Sequence, residues 1–290
     1  FHLDRENRDQ KRWTITNLEQ LVDFAESCDK IKEIEDINHP DKEQAEYILS
    51  QNKSSWDAMS EWFLGVTALP TYGCRIPTEN ELNLFGDVNG KKVLDIGCGS
   101  GHSLLYQAKN GAAELWGLDL SENQIKTSEK LLSEYAPRLF VSPMEQNPGI
   151  PEGYFDIVQA IYSVGWTVDI QTTFDLVSSY LKKGGIFVFS WDHPFMHCVD
   201  LENEKLVFSG CYLNDELFTF EKRGETVSLY NRKLSAYINA LAKAGLMAER
   251  LVEETDMETL KRESVFSSDY YSVCKAQKFP LSFVIKARKI

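Results

Sequence analysis

The chain of 290 residues has few features that point to a membrane protein or to a disulfide-stabilised one. It has no apolar run close to the roughly 20 residues that span a bilayer. Its N-terminal stretch FHLDRENRDQKRW is polar and does not resemble a secretory signal. The six cysteines are scattered without a CxxC pair. Because a chain of this size needs no disulfides, we predict reduced thiols and a cytoplasmic protein.

Positive charge is also scarce. The chain has 31 Lys and Arg against 44 Asp and Glu, a formal net charge of −13 and no dense Lys/Arg run. Nucleic acids are held mainly through Lys and Arg contacts to phosphates, so this balance favours a small-molecule partner over nucleic acid. His193 and His197 are four residues apart, but no Cys or second His pair completes a tetrahedral set. We therefore predict no metal site.

The sequence does contain enough apolar residues, 43% of the chain, for a globular core. After a polar tail, two helical segments are predicted at TNLEQLVDFAESC and DKEQAEYILSQNKSSWDAMSEWFLG. From residue 91 strands and helices alternate, which predicts an α/β fold with a mostly parallel sheet covered on both faces. We assign residues 1–55 to an N-terminal helical extension that serves as a lid and residues 56–290 to the main domain. Residues 196–231 are an inserted excursion with a small hairpin on the substrate side.

The stretch VLDIGCGSG, residues 93–101, places three glycines at the end of the first predicted strand. Gly97 permits a tight exit from the strand, and Gly99 and Gly101 let the backbone approach a ligand. Parallel sheets bind ligands at this edge. The spacing is G-x-G-x-G, with His102 where a dinucleotide fingerprint has its third glycine, which argues against a nicotinamide cofactor. Asp119, after the second strand, is either a ligand for ribose hydroxyls or a helix-start acid.

Four segments in this order resemble the motifs of the class I S-adenosylmethionine-dependent methyltransferases: VLDIGCGSG, LWGLDLS, SPMEQNPGIPEGYFDIV and LKKGGIFVFS. The resemblance covers about residues 56–290. It implies a Rossmann-like, seven-stranded sheet in which the last strand, PLSFVIKARK, inserts antiparallel. It also implies S-adenosyl-L-methionine as the cofactor. The strings IYSVGWTVD and FSWDHPF are similar to bacterial small-molecule methyltransferases of unassigned substrate.

The resemblance also implies roles for individual residues. Asp95 and the three glycines would hold the methionine moiety, Asp119 the ribose, and Met144 and Glu145 the adenine. Ser142 and Pro143 stand where most relatives have an Asp, so the adenine contacts depart from the family pattern. The full set of predicted cofactor-binding residues is Asp95, Gly97, Cys98, Gly99, Gly101, Asp119, Leu120, Met144, Glu145, Ile161 and Tyr162.

Three residues are candidates for catalysis. His193 directly follows the fifth strand and is either a general base oriented by Asp192 or a structural histidine. Trp166, like Tyr162, follows the fourth strand, where an aromatic face either stabilises a sulfonium or packs in the core. Tyr72 lies in a loop broken by prolines and glycine ahead of the first strand, where a lid over the cofactor would sit.

The sequence therefore predicts a methyltransferase that acts on a small-molecule acceptor by in-line displacement. The motifs describe cofactor binding and not chemistry. A non-catalytic protein that binds S-adenosylmethionine or its demethylated product, as a sensor or partner subunit, therefore stays open. The sequence indicates neither the acceptor nor the oligomeric state.

Overall fold

The computed structural model describes residues 41–202, 205–213, 215–262 and 270–290. These residues all belong to one compact unit, residues 39–290. The first predicted helix, TNLEQLVDFAESC, lies outside the described residues.

The described chain contains eight α-helices and eleven strands. The helices are α1 (Lys42–Met59), α2 (Glu79–Leu82), α3 (His102–Lys109), α4 (Glu122–Leu131), α5 (Ile170–Tyr180), α6 (Leu234–Lys243), α7 (Met257–Lys261) and α8 (Val273–Ala276). The strands are β1 (Lys92–Ile96), β2 (Glu114–Asp119), β3 (Arg138–Val141), β4 (Phe155–Ile161), β5 (Leu181–Asp192), β6 (Val199–Glu202), β7 (Lys205–Phe208), β8 (Glu216–Lys222), β9 (Glu225–Asn231), β10 (Leu246–Val252) and β11 (Ser282–Lys289).

Seven strands form one sheet in the order β10-β11-β5-β4-β1-β2-β3. Strands β1 to β5 are parallel, and β11 runs antiparallel between β5 and β10. The predicted sheet and its antiparallel last strand are confirmed. Strand order reverses beside β1, since the chain first builds outward to β3 and then returns to β4. Ligands of open α/β sheets bind at the carboxyl ends of the strands next to such a point.

Helices cover both faces of the sheet, as the continuous apolar strands predict. On one face, α5 packs Ile170, Phe174 and Val177 into a buried cluster with Phe187 and Phe189 of β5. On the other face, α3 and α4 pack against the opposite side of β1 and β4. In the sequence, the spacing of Ile170, Phe174, Val177 and Leu181 predicts a helix with this apolar face. The prediction is confirmed, except that Leu181 begins β5 and does not continue the helix.

Helix α1 and the excursion after β5 together form a layer that we call the roof (residues 42–59 and 216–231). The excursion contains two hairpins, β6–β7 and β8–β9, where the sequence predicted one. Asn52 of α1 donates from Nδ2 to the carbonyl of Ser228 (2.7 Å) and accepts from its amide at Oδ1 (2.9 Å). Ser55 donates to the carbonyl of Thr226 (2.6 Å). Helix α1 runs without a break through residue 55, where the sequence placed the end of the N-terminal extension.

Candidate functional site

The glycine stretch forms a tight turn from β1 that presses against the segment after β4. Gly97 has φ +70°, and a Cβ at this position would lie 2.5 Å from the Cβ of Ser163. Ser163 Oγ donates to the carbonyl of Ile96 (2.8 Å). A side chain at position 97 would separate these two segments, so the turn requires glycine.

Asp119, at the end of β2, holds the backbone of this turn with both carboxylate oxygens. Oδ2 accepts from the amide of Gly99 (2.8 Å) and Oδ1 from the amide of Ser121 (2.8 Å). Burial raises the pKa of Asp119 to about 6, and repulsion from Asp57 contributes, while the two amides act in the opposite direction. At neutral pH an ionised carboxylate therefore lies on the cavity wall with lone pairs left for hydroxyl donors.

Asp57 of α1 links the roof to the start of α4. Its Oδ1 accepts from Ser121 Oγ (2.6 Å) and from the amide of Asn123 (3.1 Å). Ser121 itself caps α4, since its Oγ accepts from the amide of Gln124 (3.2 Å). The three-residue spacing of Ser121 and Gln124 predicts a helix start here from the sequence, and the structure confirms that start. Ser121 is also hydrogen-bonded to Asp119, so α1 of the roof contacts the start of α4 beside the predicted ribose position.

A cavity of about 800 Å³, its open mouth included, lies at the carboxyl ends of β1, β2 and β4. Ligands bind at this position in α/β folds. Of the residues predicted from the sequence, the structure brings nine together in its lining: Gly97, Gly99, Asp119, Leu120, Met144, Glu145, Ile161, Tyr162 and Trp166.

A smaller pocket adjoins this cavity and contains two further predicted residues, Asp95 and Cys98. Asp95 is buried, and its Oδ2 accepts from Gln159 Nε2 (2.8 Å). Its Oδ1 has no hydrogen-bond partner in the described structure. Burial raises the pKa of Asp95 to about 8. An unpaired buried carboxylate oxygen is unfavourable, so this pocket suits a cationic group such as an ammonium.

Glu145 lies at the other end of the cavity. Its Oε1 accepts from Thr167 Oγ1 and from the amide of Val168 (2.6 Å). Its Oε2 is buried and has no hydrogen-bond partner in the described structure. Burial raises the pKa of this carboxyl. Because Glu145 is one of the lining residues, this oxygen is a candidate acceptor for a ligand donor.

Two predicted residues serve the fold rather than the cavity. Gly101 is not among the residues that line either pocket. It has φ +82°, and a Cβ at this position would lie 2.3 Å from Ser128 Oγ. Glycine therefore allows α3 to begin close to α4. Tyr72 is fully buried, stacks against Phe85 and donates to Glu79 Oε2 (2.6 Å). The prediction that Tyr72 covers the cofactor is wrong, because the loop folds its ring into the core.

His193 is also directed away from the cavity. Its Nε2 lies 2.8 Å from Glu253 Oε1, and its Nδ1 accepts from the amide of Phe195 (3.2 Å). Burial lowers its pKa, although Glu253 opposes this shift. His193 is not among the residues that line either pocket. The structure thus places it in the structural role that the sequence left open, and Asp192 does not orient it.

Asp192, one residue earlier on β5, faces the opposite side. It accepts a short hydrogen bond from the hydroxyl of Tyr162, and Tyr271 donates to its Oδ2 (3.0 Å). Burial raises its pKa. Successive strand residues point to opposite faces, and that alternation along β5 is the signal that could have selected Asp192 over His193.

An aromatic wall of three rings closes the roof side of the cavity: Trp56, Phe63 and Trp166. The ring centroids of Trp56 lie 5.1 Å from Phe63 and 5.0 Å from Trp166, in edge-to-face geometry. Sequence reasoning found only Trp166. Trp56 and Phe63 lie seven residues apart in a predicted helix, a spacing that places two rings on one face.

Comparison with known proteins agrees with this geometry. Residues 94–189 match a family model described as a methyltransferase domain. This segment is similar to that family, and the match covers less than half of the chain. The motifs that resemble this family, from the glycine stretch to β5, fall on the matched methyltransferase domain.

Two curated relatives match parts of the chain. One is an uncharacterized protein of Haemophilus influenzae, 32% identical over 122 residues, which are 40% of this chain and 48% of that protein. The other is the aklanonic acid methyltransferase DauC of Streptomyces, 30% identical over 154 residues, 51% of this chain and 65% of that protein. The chain thus spans about half to two thirds of these relatives.

A solved structure shares the methyltransferase fold. It is an S-adenosylmethionine-dependent methyltransferase from Mesorhizobium loti, with a TM-score of 0.61 and 22% identity, covering 71% of this chain and 94% of that one. Within the described residues, no helix is long and apolar enough to cross a membrane. The same residues contain no group of three or more His, Cys, Asp or Glu side chains that could hold a metal ion.

Proposed function

We propose that the protein binds S-adenosyl-L-methionine and transfers its methyl group to a small-molecule acceptor by in-line displacement. The observation that carries this proposal is the set of three carboxylates in the joined pockets. Asp95 and Glu145 each have a buried oxygen without a partner among the described residues, and Asp119 holds the backbone of the glycine turn. The three match the ammonium, the amino group of adenine and the ribose hydroxyls of one ligand.

The residues present fit this cofactor. Asp95 Oδ1 would accept from the methionine ammonium, Asp119 from the ribose hydroxyls and Glu145 Oε2 from the adenine amino group. Gly97 and Gly99 leave room for the ligand against the backbone. When bound, the cofactor supplies a methyl group on a sulfonium, which is a good leaving group. The protein's contribution is then chiefly to hold the acceptor in line, which is worth about 7–11 kcal/mol in favourable cases.

The cavity also offers a path for a proton. An acceptor hydroxyl or amine can give its proton to Tyr162 Oη while Tyr162 passes its own proton to Asp192, whose raised pKa favours this uptake. The nucleophile then carries the electron pair that forms the bond to the methyl group. This assignment replaces the base role predicted for His193.

Three observations support a small acceptor in a reducing compartment. The roof closes over the cavity, which restricts its size. The net charge of −13 disfavours nucleic acid. The six cysteines are scattered without a CxxC pair, as expected for the cytoplasm. The name of the relative DauC indicates a small-molecule acceptor for that protein, which supports the same class here.

The test is calorimetric titration with S-adenosylmethionine, S-adenosylhomocysteine and NAD, followed by transfer of radiolabelled methyl groups to a panel of small acceptors. We expect both sulfur nucleosides to bind, NAD not to bind, and label to reach an acceptor. Binding without transfer to any acceptor would favour the non-catalytic sensor or partner subunit. Binding of NAD alone would overturn the proposal.

A further inference from the structure

The ammonium group of Lys222 lies against the aromatic wall. Lys222 ends β8 in the roof and is half-buried. Its Nζ lies 4.6 Å from the ring centroid of Phe63, 5.4 Å from that of Trp56 and 5.7 Å from that of Trp166. All three rings line the cavity. A roof residue far away in sequence therefore brings a positive charge next to rings that line the cavity, although Lys222 itself is not among the lining residues.

Lys222 differs from most other semi-buried lysines in having no carboxylate within ion-pair distance among the described residues. Lys92 and Lys182, for comparison, each have one at 2.8 Å. The charged groups that act on Lys222 are Asp192, which attracts it from further away, and Arg223, which repels it. Asp192 already accepts hydrogen bonds from two tyrosine hydroxyls.

This arrangement is unfavourable without a further partner. Burial lowers the pKa of Lys222. Removing an ammonium from water is costly, and an aromatic ring compensates for only part of that cost. A ligand anion in the cavity would restore the missing ion pair.

We propose that Lys222 binds the anionic group of the methyl acceptor, and that this acceptor is a planar or apolar small molecule with a single carboxylate. This inference rests on the proposed function and names the substrate class of the same site. The aromatic wall matches a planar or apolar body. One ammonium balances one negative charge, and the neighbouring Asp192 disfavours a doubly charged group such as a phosphate.

Lys222 could instead have a purely structural role and only hold the β8–β9 hairpin against α1. Substitution of Lys222 would then lower stability and weaken the binding of charged and neutral ligands equally. Removal of an anion-binding residue changes the preference between them. The experiment therefore has to measure that preference.

The full-length protein is saturated with S-adenosylhomocysteine and titrated calorimetrically with matched acid and amide pairs. The pairs are benzoate with benzamide, cinnamate with cinnamamide, and indole-3-acetate with indole-3-acetamide; phenyl phosphate is an additional probe. We expect at least one acid to bind about tenfold or more tightly than its amide, a ratio worth about 1.4 kcal/mol. Lys222→Met should bring that ratio close to one. Arg223→Gln is the matched control, because it removes the same charge one residue away, from an exposed side chain on Trp62.

The outcomes separate the two proposals. If S-adenosylhomocysteine does not bind, the proposed function falls and this inference with it. If it binds but no acid is preferred, or the preference survives Lys222→Met, only the inference falls. Tighter binding of phenyl phosphate than of benzoate overturns the single carboxylate. Thermal unfolding of each variant checks its fold, and Lys222→Gln replaces Lys222→Met if the latter unfolds.

Discussion

Replacing Asp119 with asparagine tests the centre of the proposed cofactor site. The carboxylate accepts from the amides of Gly99 and Ser121 at 2.8 Å each, so both of its neighbours are donors. An asparagine presents one oxygen and one NH₂ group, and the NH₂ group faces a donor in either orientation. The substitution therefore loses one backbone bond, the negative charge and one acceptor for the ribose.

The expected loss follows from these contacts. A hydrogen bond to a charged group contributes about 1.5–3 kcal/mol, and the variant loses one ribose bond of this kind and weakens the other. We expect a loss of about 3 kcal/mol in binding free energy, which corresponds to a Kd increase of about 100- to 200-fold. The fold is expected to persist, because the size of the side chain is unchanged.

The assay is calorimetric titration of two ligands, S-adenosylhomocysteine and 5′-methylthioadenosine, which share the ribose but not the amino acid. Asp119→Asn should weaken both by the same factor. Asp95→Asn is the matched control and should weaken only S-adenosylhomocysteine, because Asp95 faces the predicted ammonium position. A change of less than about fivefold in Asp119→Asn, well below the loss of one charged hydrogen bond, would refute the reasoning.

The same carboxyl predicts a pH dependence. Its pKa of about 6 in the free protein is raised by burial, so protonation of Asp119 stabilises the free fold, and this contribution disappears as the pH rises through about 6. Ribose hydroxyls favour the ionised form instead. Affinity for 5′-methylthioadenosine, which lacks the ammonium that Asp95 would bind, should therefore fall as the pH drops below about 6, by up to about tenfold per pH unit. Titrations with this ligand across the range should show a steeper slope in the wild type than in Asp119→Asn.

Three substitutions test the residues that the structure assigns to the fold. Tyr72→Phe removes the hydrogen bond to Glu79 and should lower the free energy of unfolding, measured in urea, by about 1.5–3 kcal/mol without changing the Kd of S-adenosylhomocysteine. A higher Kd at unchanged stability would show that Tyr72 belongs to the cofactor site. Gly101→Ala combines a positive φ with a clash against Ser128 and should cost more than about 2 kcal/mol of stability by the same measurement; a variant as stable as the wild type would contradict this packing. His193→Ala should lower stability by about 1–3 kcal/mol and leave methyl transfer intact; loss of transfer at unchanged cofactor affinity would reinstate it as the base.

The strands and the glycine turn could be predicted because local patterns determine them. Strands β1 and β4 are mostly apolar because both of their faces are covered, and Ser121 caps a helix through bonds within four residues. Asp119 was found for the same reason, since it directly follows a strand that ends at the cavity edge.

The errors fall where the local pattern has two physical solutions. A glycine at position 101 permits the close approach of either a ligand or a neighbouring helix. The sequence alone does not show that Ser128 of α4 lies next to it. His193 and Asp192 are adjacent on β5, and the choice between them depends on which face of the strand meets the cavity. Lys222 could not be found at all, because its ring partners come from α1, the turn after it and the segment after β4.

The way in which α1 holds the roof has a consequence for how acceptor preference can change. The amide of Asn52 pairs with the backbone N–H and carbonyl of residue 228, and Ser55 donates to a backbone carbonyl. Both residues therefore bind the main chain of β9, and these hydrogen bonds do not depend on most of its side chains. A hairpin of different sequence could dock in the same position, provided that residue 228 is not proline. Grafting alternative β8–β9 hairpins onto this scaffold is thus a direct route to enzymes that keep one cofactor and accept different substrates.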